Sequence, residues 1–158
     1  MQTMIFLPFL IASIRGTISN SAQVSFTDDS GQSHSLEMPY SVLPGFQSSE
    51  LNINSLVFRV EFEGCSLGRE LSITKGFSAY FVAKKGCKVQ EMIDEAISNE
   101  AAFVFVEVAD YSLNESERLN IYKRPVFFLD EHYPRDYFLL GGSVNSKRLV
   151  SFAFSSVG

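Results

Sequence analysis

The sequence predicts a β-rich α/β domain, a compact sandwich or open barrel with two helices. Three observations lead there. Residues 79–108 read strand, helix, strand. Short apolar runs of strand length recur through the rest of the chain. Most of the segments between them are rich in turn-forming residues rather than in helical periodicity.

The central stretch is AYFVAKKGCKVQEMIDEAISNEAAFVFVEV. Residues 79–83 form a short apolar run, followed by the basic turn Lys84-Lys85-Gly86-Cys87-Lys88. Val89, Met92, Ile93, Ala96 and Ile97 then recur at helical spacing, with Gln90, Glu91, Asp94 and Glu95 between them. That is one apolar stripe on a helix of about three turns. Phe103 to Val106 are apolar without alternation, as expected of a strand covered on both faces. A strand–helix–strand unit of this length implies parallel strands joined by a right-handed crossover.

Residues 23–26 and 33–38 flank Asp28-Asp29-Ser30-Gly31, which is hairpin turn chemistry. Pro39 and Pro44 punctuate a loop that runs to about Ser55. Residues 56–62 (LVFRVEF) alternate at their end, which suits a half-buried strand, and residues 64–76 form a connection. Residues 109–123 are a long polar stretch, and 125–129 (PVFFL) are another buried strand. Pro134 and Gly141-Gly142 bracket a second, short helix, with Pro at its start and Gly after its end. Residues 149–154 (LVSFAF) make the last strand.

The chain has 158 residues, a length that suits a single domain, expected over 23–158. Fifteen Phe can build its core. The formal charge of −5 argues against a general affinity for nucleic acid. Residues 4–14 (MIFLPFLIASI) are apolar apart from Ser13, yet too short for a bilayer span of about 20 residues. They suit the core of a secretory signal peptide occupying residues 1–22, cleaved after Gly16, Ser19 or Ala22. A buried strand or an uncleaved anchor is the other reading. No later stretch is long enough to span a membrane, so a cleaved leader implies a secreted or luminal product.

Three segments together resemble the protease-associated (PA) domain family. Residues 79–89 (AYFVAKKGCKV) resemble its strand-and-turn signature: apolar strand, basic residue, Gly, Cys, then the start of a helix. Residues 99–106 resemble its Ala-Gly-Ala-x-Ala-Val-Ile run, with Asn99-Glu100 where the family has Ala-Gly. Residues 124–129 (RPVFFL) resemble its Ile-Pro-Val-x-x-Ile strand. Order and spacing hold over residues 64–140, about half the chain. The nearest likeness is to small secreted glycoproteins that are little more than a PA domain. The resemblance implies a β-sandwich with flanking helices, used as a non-catalytic protein-interaction or substrate-positioning module, without a cofactor.

The remaining candidates come from the residues themselves. Gly64-Cys65-Ser66-Leu67-Gly68 matches G-x-S-x-G, and Asp130 and His132 follow in the order a hydrolase triad needs. A small serine hydrolase built on Ser66 is therefore the alternative function. PA domains carry a Gly-Cys-Ser of this kind as a plain loop, and the elbow must lead directly into a helix. His34 and His132 are the only histidines, and no metal-ligand spacing surrounds either. Cys65 and Cys87 are the only cysteines, and an exported chain meets an oxidising compartment, so a disulfide is expected, with two buried free thiols as the alternative. Asn114-Glu115-Ser116 is the only N-glycosylation sequon. Lys84, Lys85 and Lys88 crowd the start of the helix, where an anionic group would be favoured; an ordinary solvated turn is the other reading. A polypeptide partner is expected at the carboxyl ends of the parallel strands. That edge should gather the Lys84–Lys88 turn, the loop 109–123 and the turn Asp130–His132.

Overall fold

The computed structural model describes residues 20–28, 30–43, 52–67, 77–108, 111, 113–118, 120–129 and 147–154. The strands are β1 (Asn20–Thr27), β2 (Ser33–Tyr40), β3 (Asn52–Arg59), β4 (Phe62–Glu63), β5 (Ser66–Leu67), β6 (Ser78–Val82), β7 (Val104–Glu107), β8 (Val126–Leu129) and β9 (Lys147–Phe154). Helix α1 (Val89–Ser98) joins β6 to β7, and a single turn, α2 (Glu115–Arg118), lies between β7 and β8. Seven strands form one mixed sheet in the order β2-β1-β9-β3-β6-β7-β8, and β4 and β5 make a separate small hairpin. Strands β3, β6, β7 and β8 run parallel, while β1 pairs antiparallel with β2 and β9, and β9 with β3.

The sheet curls until its two edges meet. Ser41, just after β2, exchanges two backbone hydrogen bonds of 3.0 Å with Val126 of β8. On one side the seam goes on, with Leu43 N–H donating to the Tyr122 carbonyl, and on the other, toward Pro39, it stops for a chemical reason. Alternation along β2 puts the nitrogen of Pro39 on the same side as the N–H of Ser41, facing β8. Proline has no N–H to donate, so the next rung cannot form. The result is a nearly closed barrel, not a sandwich.

Alternation sorts the side chains. Ala22, Val24 and Phe26 of β1 and Val150, Phe152 and Phe154 of β9 point inward, with Tyr80, Phe103, Phe105, Phe127 and Leu129 from the other side. Phe105 stacks on Phe127 with centroids 4.8 Å apart, and Phe103 packs on Phe152 at 4.6 Å. The opposite face of β6, β7 and β8 carries Ala79, Phe81, Val104, Val106 and Phe128, covered by Val89, Met92, Ile93 and Ala96 of α1. Those strands are thus buried on both faces, which is why they show no apolar–polar alternation.

Two expectations are corrected. The architecture has one helix of more than a turn among the described residues, not two flanking helices; the segment expected to form the second, Pro134 to Gly141, lies outside them. The strand expected over 56–62 is two strands. Strand β3 starts at Asn52 and ends at Arg59, the chain bends through Val60 and Glu61, and β4 begins at Phe62. The hairpin of β1 and β2, the β6–α1–β7 unit with its parallel strands, and β8 and β9 lie where the sequence places them.

Helix α1 ends in a Schellman motif. Ala101 N–H bonds the carbonyl of Ala96 and Glu100 N–H bonds that of Ile97. The motif needs a left-handed residue, and Glu100 adopts it with φ of 69°. A side chain in that region costs roughly 1 kcal/mol that glycine does not. Glu100→Gly is therefore expected to raise the unfolding free energy by about 1 kcal/mol, read as a higher denaturant midpoint at unchanged slope.

Candidate functional site

Parallel pairing decides which loops share an edge. The carboxyl ends of β3, β6, β7 and β8 all lie at one mouth of the barrel, so the segments that follow them gather there. After β3 comes the β4–β5 hairpin, after β6 the basic turn, and after β7 the chain through Val108, Tyr111 and Asn114. The turn Asp130–His132 follows β8 but lies outside the described residues, so its expected place at this edge is not described. The far part of the polar stretch runs back along the helix layer, where burial raises the pKa of Asp94 and the nearby Lys123 opposes that rise.

The basic turn is firmly built. Gly86, with φ of +90°, takes a conformation that suits glycine, and Cys87 N–H bonds the carbonyl of Lys84. Cys87 is buried and Cys65 is exposed, and the two form a disulfide with 5.5 Å between Cα atoms. The bridge joins the tip of the β4–β5 hairpin to the end of the basic turn, and overturns the free-thiol alternative. The hairpin is held a second time by α1, where the Glu95 carboxylate accepts the N–H of Leu67. Lys84, Lys85 and Lys88 are all exposed on this turn.

The amino end of α1 is partly occupied. The Tyr111 hydroxyl accepts from Val89 N–H at 3.3 Å and lies within bonding distance of the Cys87 carbonyl (3.2 Å) and the Glu117 carboxylate (3.0 Å). Burial first, and the nearby Glu117 carboxylate next among the causes that raise it, push this hydroxyl above its ordinary pKa, so it keeps its proton at neutral pH. Glu117 also closes a capping box with Asn114. Glu117 N–H bonds Asn114 Oδ1 at 2.8 Å, and Asn114 N–H bonds Glu117 Oε1 at 3.1 Å. The sequon asparagine thus caps α2, and the same glutamate reaches through Tyr111 to the basic turn. Tyr111 and Glu117 carry no motif of their own. The Asn114-x-x-Glu117 spacing of a capping box was the signal available for them.

Ser66 lies on β5, paired with Glu63 across the Gly64-Cys65 turn. A nucleophile elbow places its serine at the apex of a strand-to-helix turn, whereas Ser66 sits on the second arm of a hairpin. Its expected partners Asp130 and His132, and Gly68 of the motif, lie outside the described residues. His34 belongs to the β1–β2 turn. Its Nε2 is 2.8 Å from Asp28 Oδ2, and its ring stacks on Phe26. The bond to His34, then those from Ser30 and Gln32, hold the Asp28 carboxyl well below the usual carboxylate range. His34 therefore serves turn structure, with the Asp28 carboxylate beside its ring.

Two features of the mouth were not singled out in the sequence. Arg59 at the end of β3 lies over the Tyr80 ring, 5.7 Å from its centroid. Glu107 at the end of β7 is a buried carboxylate. Both were hidden in runs read only as strands. The chain matches no family model and no curated protein sequence.

The disulfide closes a loop with a sequence separation of 22. Replacing both cysteines by Ser is expected to lower stability by about 3 kcal/mol on the chain-entropy estimate. Denaturant unfolding of the oxidised protein and the double variant measures the difference.

Proposed function

We propose that this chain is an exported, non-catalytic protein-interaction module, similar to a PA domain, that binds a polypeptide partner at the barrel mouth described above. One observation carries the reading: the parallel strands deliver the hairpin and the basic turn to one edge, and the disulfide ties the two together. Lys84, Lys85 and Lys88 oppose the negative charge of the whole chain, so they favour a partner that presents carboxylates. Such a patch acts on encounter rate and specificity more than on bulk affinity. The disulfide and the apolar leader both support export.

Asn114 carries an N-glycan in this reading. The residue is exposed, and the glycan attaches to Nδ2 while Oδ1 remains available to cap α2. Protein secreted by a eukaryotic host is expected to run faster on a gel after enzymatic deglycosylation, and Asn114→Gln to remove that shift. Unchanged mobility of the wild-type protein refutes the modification.

Leader removal is expected after Gly16 or Ser19 and not after Ala22. Strand β1 starts at Asn20, and Ala22 is a buried residue paired with Met38 and Phe154. A cut after it would strip three residues from a strand that lies between β2 and β9. Sequencing the amino terminus of the secreted protein decides; a product starting at Met1 overturns export by this leader.

The function is tested on the secreted protein purified with its bound polypeptides, whose identities are then established. Changing Lys84, Lys85 and Lys88 together to Ser is expected to weaken the complex and flatten its dependence on salt. Equal affinity and equal salt dependence in a folded triple variant place the binding surface elsewhere.

A further inference from the structure

The ladder between β3 and β6 ends before β6 does. It runs from Val57↔Ser78 to Arg59↔Tyr80 and finishes with Val60 N–H on the Tyr80 carbonyl at 2.8 Å. The chain then turns away toward the β4–β5 hairpin, while β6 continues to Val82. In a parallel strand the N–H and C=O of one residue face the same neighbour. Tyr80 faces β3, whereas Ala79 and Ala83 face β7 through bonds to Phe103 and Glu107. Val82 therefore aims both of its backbone groups at the side that β3 has vacated. Among the described residues neither group has a backbone partner.

That gap is a cleft of about 250 Å³, lined on one side by residues 59–62 and on the other by 81–84. Phe62 and Phe81, edge to face with centroids 4.8 Å apart, supply its apolar surface. Arg59 and Lys84 bring positive charge to its walls, with Glu61 as the single acid among the described lining residues. The hairpin wall is held by the Cys65–Cys87 bridge. The volume is below the range typical of drug-sized ligands and suits one amino-acid residue.

We infer that this cleft captures the C-terminal residue of a polypeptide. The terminal carboxylate accepts the Val82 N–H and pairs with Arg59 and Lys84. The Val82 carbonyl accepts an N–H from the incoming chain, and an apolar terminal side chain rests against Phe62 and Phe81. This is carboxylate capture by backbone and cations, joined to one rung of strand addition. It rests on the reading of the chain as a polypeptide-binding module and names the part of the partner that is recognised.

The probe is a pool of hexapeptides tethered by their amino ends, random at five positions and ending in Leu, Val or Phe, made as free acids and as amides. The wild-type chain is expected to be retained by the acids and about tenfold less by the amides, with retention falling as salt rises. Val82→Pro removes the N–H at a position where the sheet does not use it, and is expected to abolish retention. Val82→Thr keeps the N–H and is expected to bind as wild type. Arg59→Gln with Lys84→Gln is expected to lose about tenfold. An intact disulfide and unchanged thermal unfolding confirm that each variant is folded. Equal retention by acids and amides, retention by neither, or wild-type binding by folded Val82→Pro overturns the inference. A partner whose binding depends on the basic turn yet survives loss of its own last residue also overturns it, and leaves the broader polypeptide-binding reading standing.

Discussion

The double burial of β6, β7 and β8 is the constraint on which the rest of the structure depends. On one face these strands meet the barrel interior, filled by Phe103, Phe105, Phe127 and Phe152; on the other they meet α1. Parallel strands need connections that cross over a face, so that face is covered and the strands read as largely apolar runs. Parallelism then sends every following loop to the same mouth. The location of the candidate site is thus a consequence of how the core is filled.

At the mouth, covalent and polar contacts keep the loops in place. The disulfide and the Glu95–Leu67 bond hold the β4–β5 hairpin, and the Tyr111–Glu117–Asn114 chain holds the amino end of α1. The hairpin leaves the sheet at Val60 while β6 runs on, so a tethered wall stands beside a rung that no described residue uses. A preorganised wall lowers the ordering cost of binding an extended segment. The basic turn contributes charge to the same edge without being buried in it.

The seam between β2 and β8 shows the opposite use of a backbone vacancy. There Pro39 removes the donor that would extend pairing from Ser41 and Val126 toward the start of β2. Proline on an edge strand blocks the addition of another strand, which is a common protection against association. The cleft at Val82 has no such block. One edge of the sheet is closed to new pairing by its chemistry, and the other break in the ladder is left open beside two cations.

Local patterns determined a large part of this protein. The apolar stripe from Val89 to Ile97 specifies α1, the Asp28–Gly31 turn specifies the β1–β2 hairpin, and the unbroken apolar runs around Phe105 and Phe127 specify strands covered on both faces. Those signals act within a few residues, and a single sequence displays them. The cysteine pair was legible too, since only two are present and the chain reads as exported. Tertiary structure alone decided that the sheet closes into a barrel, because closure depends on Ser41 meeting Val126, 85 positions later in the chain. It also decided that β3 parts from β6 at Val60 and, among the described residues, leaves the Val82 backbone without a backbone partner. Nothing in LVFRVEF marks that divergence, which exists only relative to a strand some twenty residues further on. The lysines could be read as a charged turn, but the cleft beside them arises from two strands that separate, and a strand's partner is a non-local choice.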